Sequence, residues 1–107
     1  GSFAIRKGDL DGVDLVRALQ VGGREPVQGG ATRFEEITGT LALSGDRFQY
    51  RNLKLGSGLL SATGGFDVTP ANDVSGKTYV ELKSQAAQIR GNFSISGSLK
   101  AIVLKAN

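Results

Sequence analysis

The sequence predicts a β-rich α+β domain, an antiparallel sheet of about seven strands with one N-terminal helix packed on its apolar face. Three observations predict it. From Ile37 to Val68, apolar and polar residues alternate in short runs, the period of a half-buried strand. Glycine or polar breaks interrupt these runs about every six to ten residues. Val13, Leu15, Val16 and Leu19 form the one convincing stripe at helical spacing.

Phe3-Ala4-Ile5-Arg6-Lys7 alternates and reads as a first strand, turned by Gly8-Asp9. Asp11 stands where a helix cap belongs, with Asp14 three residues on. A capping Asp accepts bonds from the free amides of the first turn, and a second carboxylate suits the positive helix end. The expected helix covers residues 12–20, stopped by Gly22. Residues 21–31, rich in glycine and containing Pro26, read as a flexible loop.

From Thr32 onward the chain reads as sheet. Thr40-Leu41-Ala42-Leu43 leads through Ser44-Gly45-Asp46 to Phe48 and Tyr50. Arg51-Asn52 separates these from Leu53-Lys54-Leu55. Leu60, Ala62, Gly64, Phe66 and Val68 share one parity, as do Val74, Gly76, Thr78, Val80 and Leu82 after the Thr69–Asp73 turn. Ser84–Gln88 is weakly patterned and reads as a loop or a single helical turn. Phe93, Ile95, Gly97 and Leu99 then alternate with Asn92, Ser94, Ser96 and Ser98. Such a strand belongs to a sheet wet on one side. Ile102-Val103-Leu104 reads as a closing edge strand.

At 107 residues the chain fits one domain. It holds no cysteine and no histidine, which excludes disulfides, zinc sites of the usual ligands, Cys–His dyads and Ser–His–Asp triads. Asp9, Asp11 and Asp14 lie close together, but Val13 breaks the calcium-loop ligand pattern, and helix capping explains them better. Glu35 and Glu36 would point to opposite faces of a strand and cannot flank one glycosidic bond. The expectation is therefore a non-catalytic domain, with no metal and no cofactor.

The net charge is +3, but the thirteen basic residues are spread along the chain. Phe48, Tyr50, Phe66 and Phe93 interleave with Arg47, Arg51 and Arg90, a mixture that can stack single-stranded bases. Phe48 and Tyr50 share the core parity, however, and Arg47 and Arg51 point away, so no nucleic-acid partner is expected. No run of about 18 apolar residues occurs, so no transmembrane segment is expected here. The opening Gly1-Ser2 and the lack of methionine read as a cloning scar on a fragment of a longer protein.

The succession of motifs resembles a known family. Gly8-Asp9-Leu10-Asp11-Gly12-Val13-Asp14-Leu15 opens the helix, and a Gly-rich loop follows. Next come Thr32–Thr40, Phe48–Leu55, Leu60–Val68 and finally Ile95-Ser96-Gly97-Ser98-Leu99-Lys100. In this order, over nearly the whole chain, the motifs resemble the C-terminal region of the AsmA family of bacterial envelope proteins. Gly64-Gly65-Phe66 stands where the family often has Gly-x-Gly. The resemblance implies a periplasmic domain of an inner-membrane-anchored protein, serving outer-membrane biogenesis and phospholipid transport. It implies a sheet curved into an apolar groove, with phospholipid acyl chains, the rest of the parent protein and other envelope proteins as partners.

The face expected to line that groove, or to form a closed core, is Leu41, Leu43, Leu53, Leu55, Leu60, Phe66, Val80, Leu82, Phe93 and Ile95. Val13, Leu15, Val16 and Leu19 would cover it. The alternative is a protein–protein interaction module of an envelope assembly or adhesin-type protein, acting through an exposed sheet edge.

Overall fold

The structure is a computed structural model and describes residues 1–22, 24–83 and 88–107. Its elements are β1 (Ser2–Asp11), α1 (Leu15–Val21), β2 (Val27–Gln28), β3 (Ala31–Ser44), β4 (Arg47–Ser57), β5 (Leu60–Val68), β6 (Val74–Lys83), β7 (Gln88–Ser98) and β8 (Ala101–Ala106). All eight strands form one antiparallel sheet in the order β1-β3-β4-β5-β6-β7-β8-β2. From β3 to β8 each strand pairs with the next, so these six form a meander.

The connection around α1 shapes the sheet. β2 pairs with β8 at one edge (Val27 opposite Leu104). β3 begins only two residues later and pairs with β1 at the other edge (Ala31 opposite Asp11). Consecutive Cα atoms span at most about 3.6 Å each, so the two edges lie within about 11 Å at this end. The Gly12 amide donates to the Gly30 carbonyl at 2.8 Å, and Val13 bridges Gly29. The sheet is therefore rolled at this end and open at the other. Its longest dimension, 46 Å, matches the 14 residues of β3 at about 3.3 Å each.

Several boundaries differ from the sequence expectation. Gly8-Asp9 does not turn the first strand, because Gly8 pairs with Phe34 and Asp9 with Arg33 in an uninterrupted ladder. Lys7 adopts a positive φ of 54° and reverses the alternation, so Phe3 and Leu10 both face inward. The helix begins at Leu15 rather than residue 12, and Asp14, not Asp11, caps it by accepting from the Arg17 amide at 3.0 Å. Gly22 ends it in the left-handed conformation, as expected. The glycine-rich segment contains β2, whose two residues pair with β8. Arg51-Asn52 is no break between strands. Asn52 (φ 53°) forms a bulge inside β4, which lets Tyr50 and Leu53 share a face. The loop expected over Ser84–Gln88 falls mostly on residues 84–87, outside the described residues, and Gln88 opens β7. β8 is flanked by β2 at its central residues Val103 and Leu104 and is not a simple edge.

The inner face is continuous across the register. Leu43, Phe48, Val68 and Val74 are successive partners across four strands, as are Leu41, Tyr50, Phe66 and Gly76. All ten residues of the expected apolar face lie on this one side. Val80 at its centre is fully buried, and Leu55, Leu60 and Phe93 are buried around it. Leu82, Ile95 and Val16 are partly buried against this cluster.

Glycines let the sheet bend sharply beside the Asn52 bulge. A Cβ on Gly76 would collide with the Gly65 carbonyl and lie 2.6 Å from the Phe66 Cα, which are backbone atoms that cannot step aside. A Cβ on Gly56 would meet nothing within 4 Å. Gly76→Ala is therefore expected to destabilise the domain by about 1–3 kcal/mol while Gly56→Ala is nearly silent, as read by chemical denaturation of the two variants side by side.

Candidate functional site: an apolar trough

The inner face divides into a filled half and an open half. At the rolled end α1 lies across it, packed against β2, β3, β6, β7 and β8. Leu15, Ala18, Leu19 and Val21 are buried there. Val13 is buried just ahead of the helix, and Val16 lies at the margin. The helix was expected to cover the sheet with Val13, Leu15, Val16 and Leu19; Leu15 and Leu19 are buried in it, Val13 is buried ahead of it and Val16 is only partly buried. Ala18, at 1 % exposure the most buried helix residue, was missed because alanine carries little weight in a hydrophobic stripe.

Thr32 holds this plug in place. It is the one buried polar side chain among the described residues. The Leu15 amide donates to Thr32 Oγ1 at 3.0 Å, and the Thr32 hydroxyl donates to the Val13 carbonyl at 2.7 Å. One hydroxyl thus satisfies two backbone groups where the chain enters the helix. The sequence signal was available: Thr32 shares the parity of Phe34 and is a polar residue on an apolar face.

Beyond the helix the sheet encloses a cavity of about 220 Å³. Leu10, Val13 and Leu15 form its end wall, Ile37, Leu53 and Leu55 lie along it, and Phe3, Tyr50 and Phe66 stand toward the mouth. Tyr50 stacks on Phe66 with ring centroids 4.6 Å apart, and Phe3 meets Tyr50 edge-on at 6.4 Å. Among the described residues no buried side-chain nitrogen or oxygen lacks a partner, and no group of acidic residues could hold a metal ion. The trough offers carbon surface and no polar hook.

At the mouth the apolar face continues without cover. Leu43 is 64 % exposed, Phe48 45 % and Ile5 51 %, while Leu41 is half-buried. Leu41 and Leu43 therefore lie on the expected face but not in a closed core, because α1 reaches only the opposite half. Phe3, Leu10, Ile37 and Tyr50 line the trough without having been assigned to it. The inversion at Lys7 hides Leu10 from a strict two-residue period, whereas Tyr50 already shared the core parity.

The outer face is charged. Arg51 donates to Asp67 at 2.6 Å, and Arg47 lies 3.8 Å from the same carboxylate. Aromatic side chains thus face inward and these guanidinium groups outward, which does not make a base-stacking platform. Among the described residues no helix is long and apolar enough to cross a membrane. Comparison of the chain with protein-family models, curated proteins and solved structures gave no match.

Thr32→Val keeps the volume but strands the Leu15 amide and the Val13 carbonyl. It is expected to cost about 1–3 kcal/mol of stability in thermal or urea unfolding, and Thr32→Ser is expected to recover most of the loss.

Proposed function

We propose that this chain is a non-catalytic periplasmic domain of an AsmA-like, inner-membrane-anchored protein, and that its trough takes up acyl chains of phospholipids in outer-membrane biogenesis. The observation that carries this reading is the open, carbon-walled half of the inner face, continuous with exposed Leu43 and Phe48. Large apolar patches left uncovered mark binding surfaces. A closed core would have buried these side chains, each contributing roughly 1.5–3 kcal/mol. The motif order from Gly8 to Lys100 is the second support.

The magnitudes fit transient holding. Ten buried methylenes would contribute about 8 kcal/mol, and association consumes at least about 4 kcal/mol of that. The remainder corresponds to weak binding, in the millimolar range. A domain that passes lipid onward needs release as much as capture.

Native mass spectrometry of the protein incubated with phospholipid vesicles tests the reading. Bound phospholipid is expected, together with loss of binding in Phe66→Asp, which places a charge in the stacked aromatic wall. Absence of any bound lipid would remove the proposal.

A second reading has its own observation. Among the described residues, the outer side of β1 is an unpaired edge ten residues long, with Ile5 exposed beside it. Such an edge can accept a strand from another envelope protein. Concentration-dependent association in sedimentation, weakened by Ile5→Lys, is the expected outcome of that reading, and a monomer at all concentrations would count against self-pairing.

A further inference from the structure

The trough and the helix occupy the same inner face, end to end. The cavity is small for a lipid tail: ligand pockets usually run from about 300 to 1,000 Å³, against about 220 Å³ here. Its inner end is lined by Val13 and Leu15 at the helix entrance together with Leu10 of β1. Beneath α1 the sheet continues as apolar surface, through Leu55, Leu60, Val80 and Phe93. A longer trough is therefore already built, and the helix fills half of it.

We infer that α1 is a displaceable plug, which a long acyl chain pushes aside to occupy the half-trough beneath it. The inference rests on the acyl-chain reading above. Four features of the segment support it. α1 has seven residues, well below the length at which a helix sustains itself in water, so its order depends on the surface it covers. Gly12 (φ 88°) precedes it, and Gly29 and Gly30 (φ 83° each) lead back into the sheet. At these three positions glycine avoids the penalty other residues meet in the left-handed region, and the links that hold them are the Gly12–Gly30 hydrogen bond and the Val13–Gly29 bridge. Among the described residues, side-chain hydrogen bonding from sheet to helix entrance runs through the Thr32 hydroxyl, beside the backbone links of Gly12 to Gly30 and Val13 to Gly29. Finally, the helix lies against the sheet through small and aliphatic groups (Ala18, Leu15, Leu19, Val21), which an alkyl chain can replace in kind. The Asp14 cap belongs to the segment itself and travels with it.

Hydrogen exchange read by mass spectrometry, with octanoate and palmitate as monomeric ligands, tests the inference on the whole chain. Octanoate fits the open cavity and is expected to leave exchange of the Leu15–Gly22 peptide unchanged. Palmitate is expected to speed exchange of that peptide while the β5 and β6 amides stay protected. Palmitate bound with the helix as protected as before would overturn the plug and leave the acyl-chain reading standing. Failure of both fatty acids to bind would overturn both. Thr32→Val supplies an independent readout: loosening the plug is expected to tighten palmitate binding roughly tenfold without changing octanoate. Equal gains for the two chains, or none, would count against displacement.

Discussion

Two residues, Gly29 and Gly30, set the shape of this domain. They join a strand at one edge of an eight-stranded sheet to a strand beside the opposite edge. A chain that short cannot span a flat sheet, whose neighbouring strands lie about 4.8 Å apart. The sheet must roll until β8 with β2 approaches β1 with β3. Rolling creates an inside, and α1, threaded between Asp11 and Val27, is caught there. The filled half, the trough and the open mouth all follow from that one closure.

The roll is uneven because the backbone bends unevenly. Lys7 and Asn52 take positive φ, and the ladder between β3 and β4 slips between Thr38 and Thr40. Gly64, Gly65 and Gly76 stand where strands approach too closely for a Cβ. Bulges and glycine kinks are the usual devices for curving a sheet. Here they also reverse which parity faces inward on β1 and β4, so one inner face is assembled from two parities. Phe3 and Leu10 are on it, and so are Tyr50 and Leu53.

That arrangement decides how much was legible beforehand. β5 and β6 carry no parity reversal, and simple alternation placed Leu60, Phe66, Val80 and Leu82 on the correct side. The helix stripe and the Gly22 stop were equally readable, since both depend on local spacing and capping chemistry. Strand ends at Gly8-Asp9 and Arg51-Asn52 were misread for one reason. Residues that favour turns in isolation were held in the strands: Gly8 and Asp9 pair with Phe34 and Arg33, Arg51 pairs with Thr40, and Asn52 is taken up as a bulge. Tertiary pairing overrode local preference. The trough itself was only half legible. Which side is apolar follows from the pattern, but how far a seven-residue helix reaches along a sheet 46 Å long does not.

A domain of this size has little apolar surface to spare, since small domains bury a modest fraction of their chain. Leaving Leu43, Phe48 and Ile5 uncovered forgoes stabilisation that a longer helix at the mouth could have supplied. The outer face offsets the solubility penalty: Ser94, Ser96, Arg51, Lys77 and Lys105 all lie on the side opposite the trough. Stability is thus concentrated around Val80, Phe93 and the helix, and the open half is held in shape by backbone ladders and the Phe3–Tyr50–Phe66 stack. A surface built that way keeps its form when empty, because strand pairing does not depend on what fills the trough. It also keeps an apolar chain within reach of water at the mouth, where the chain can leave by the route through which it came.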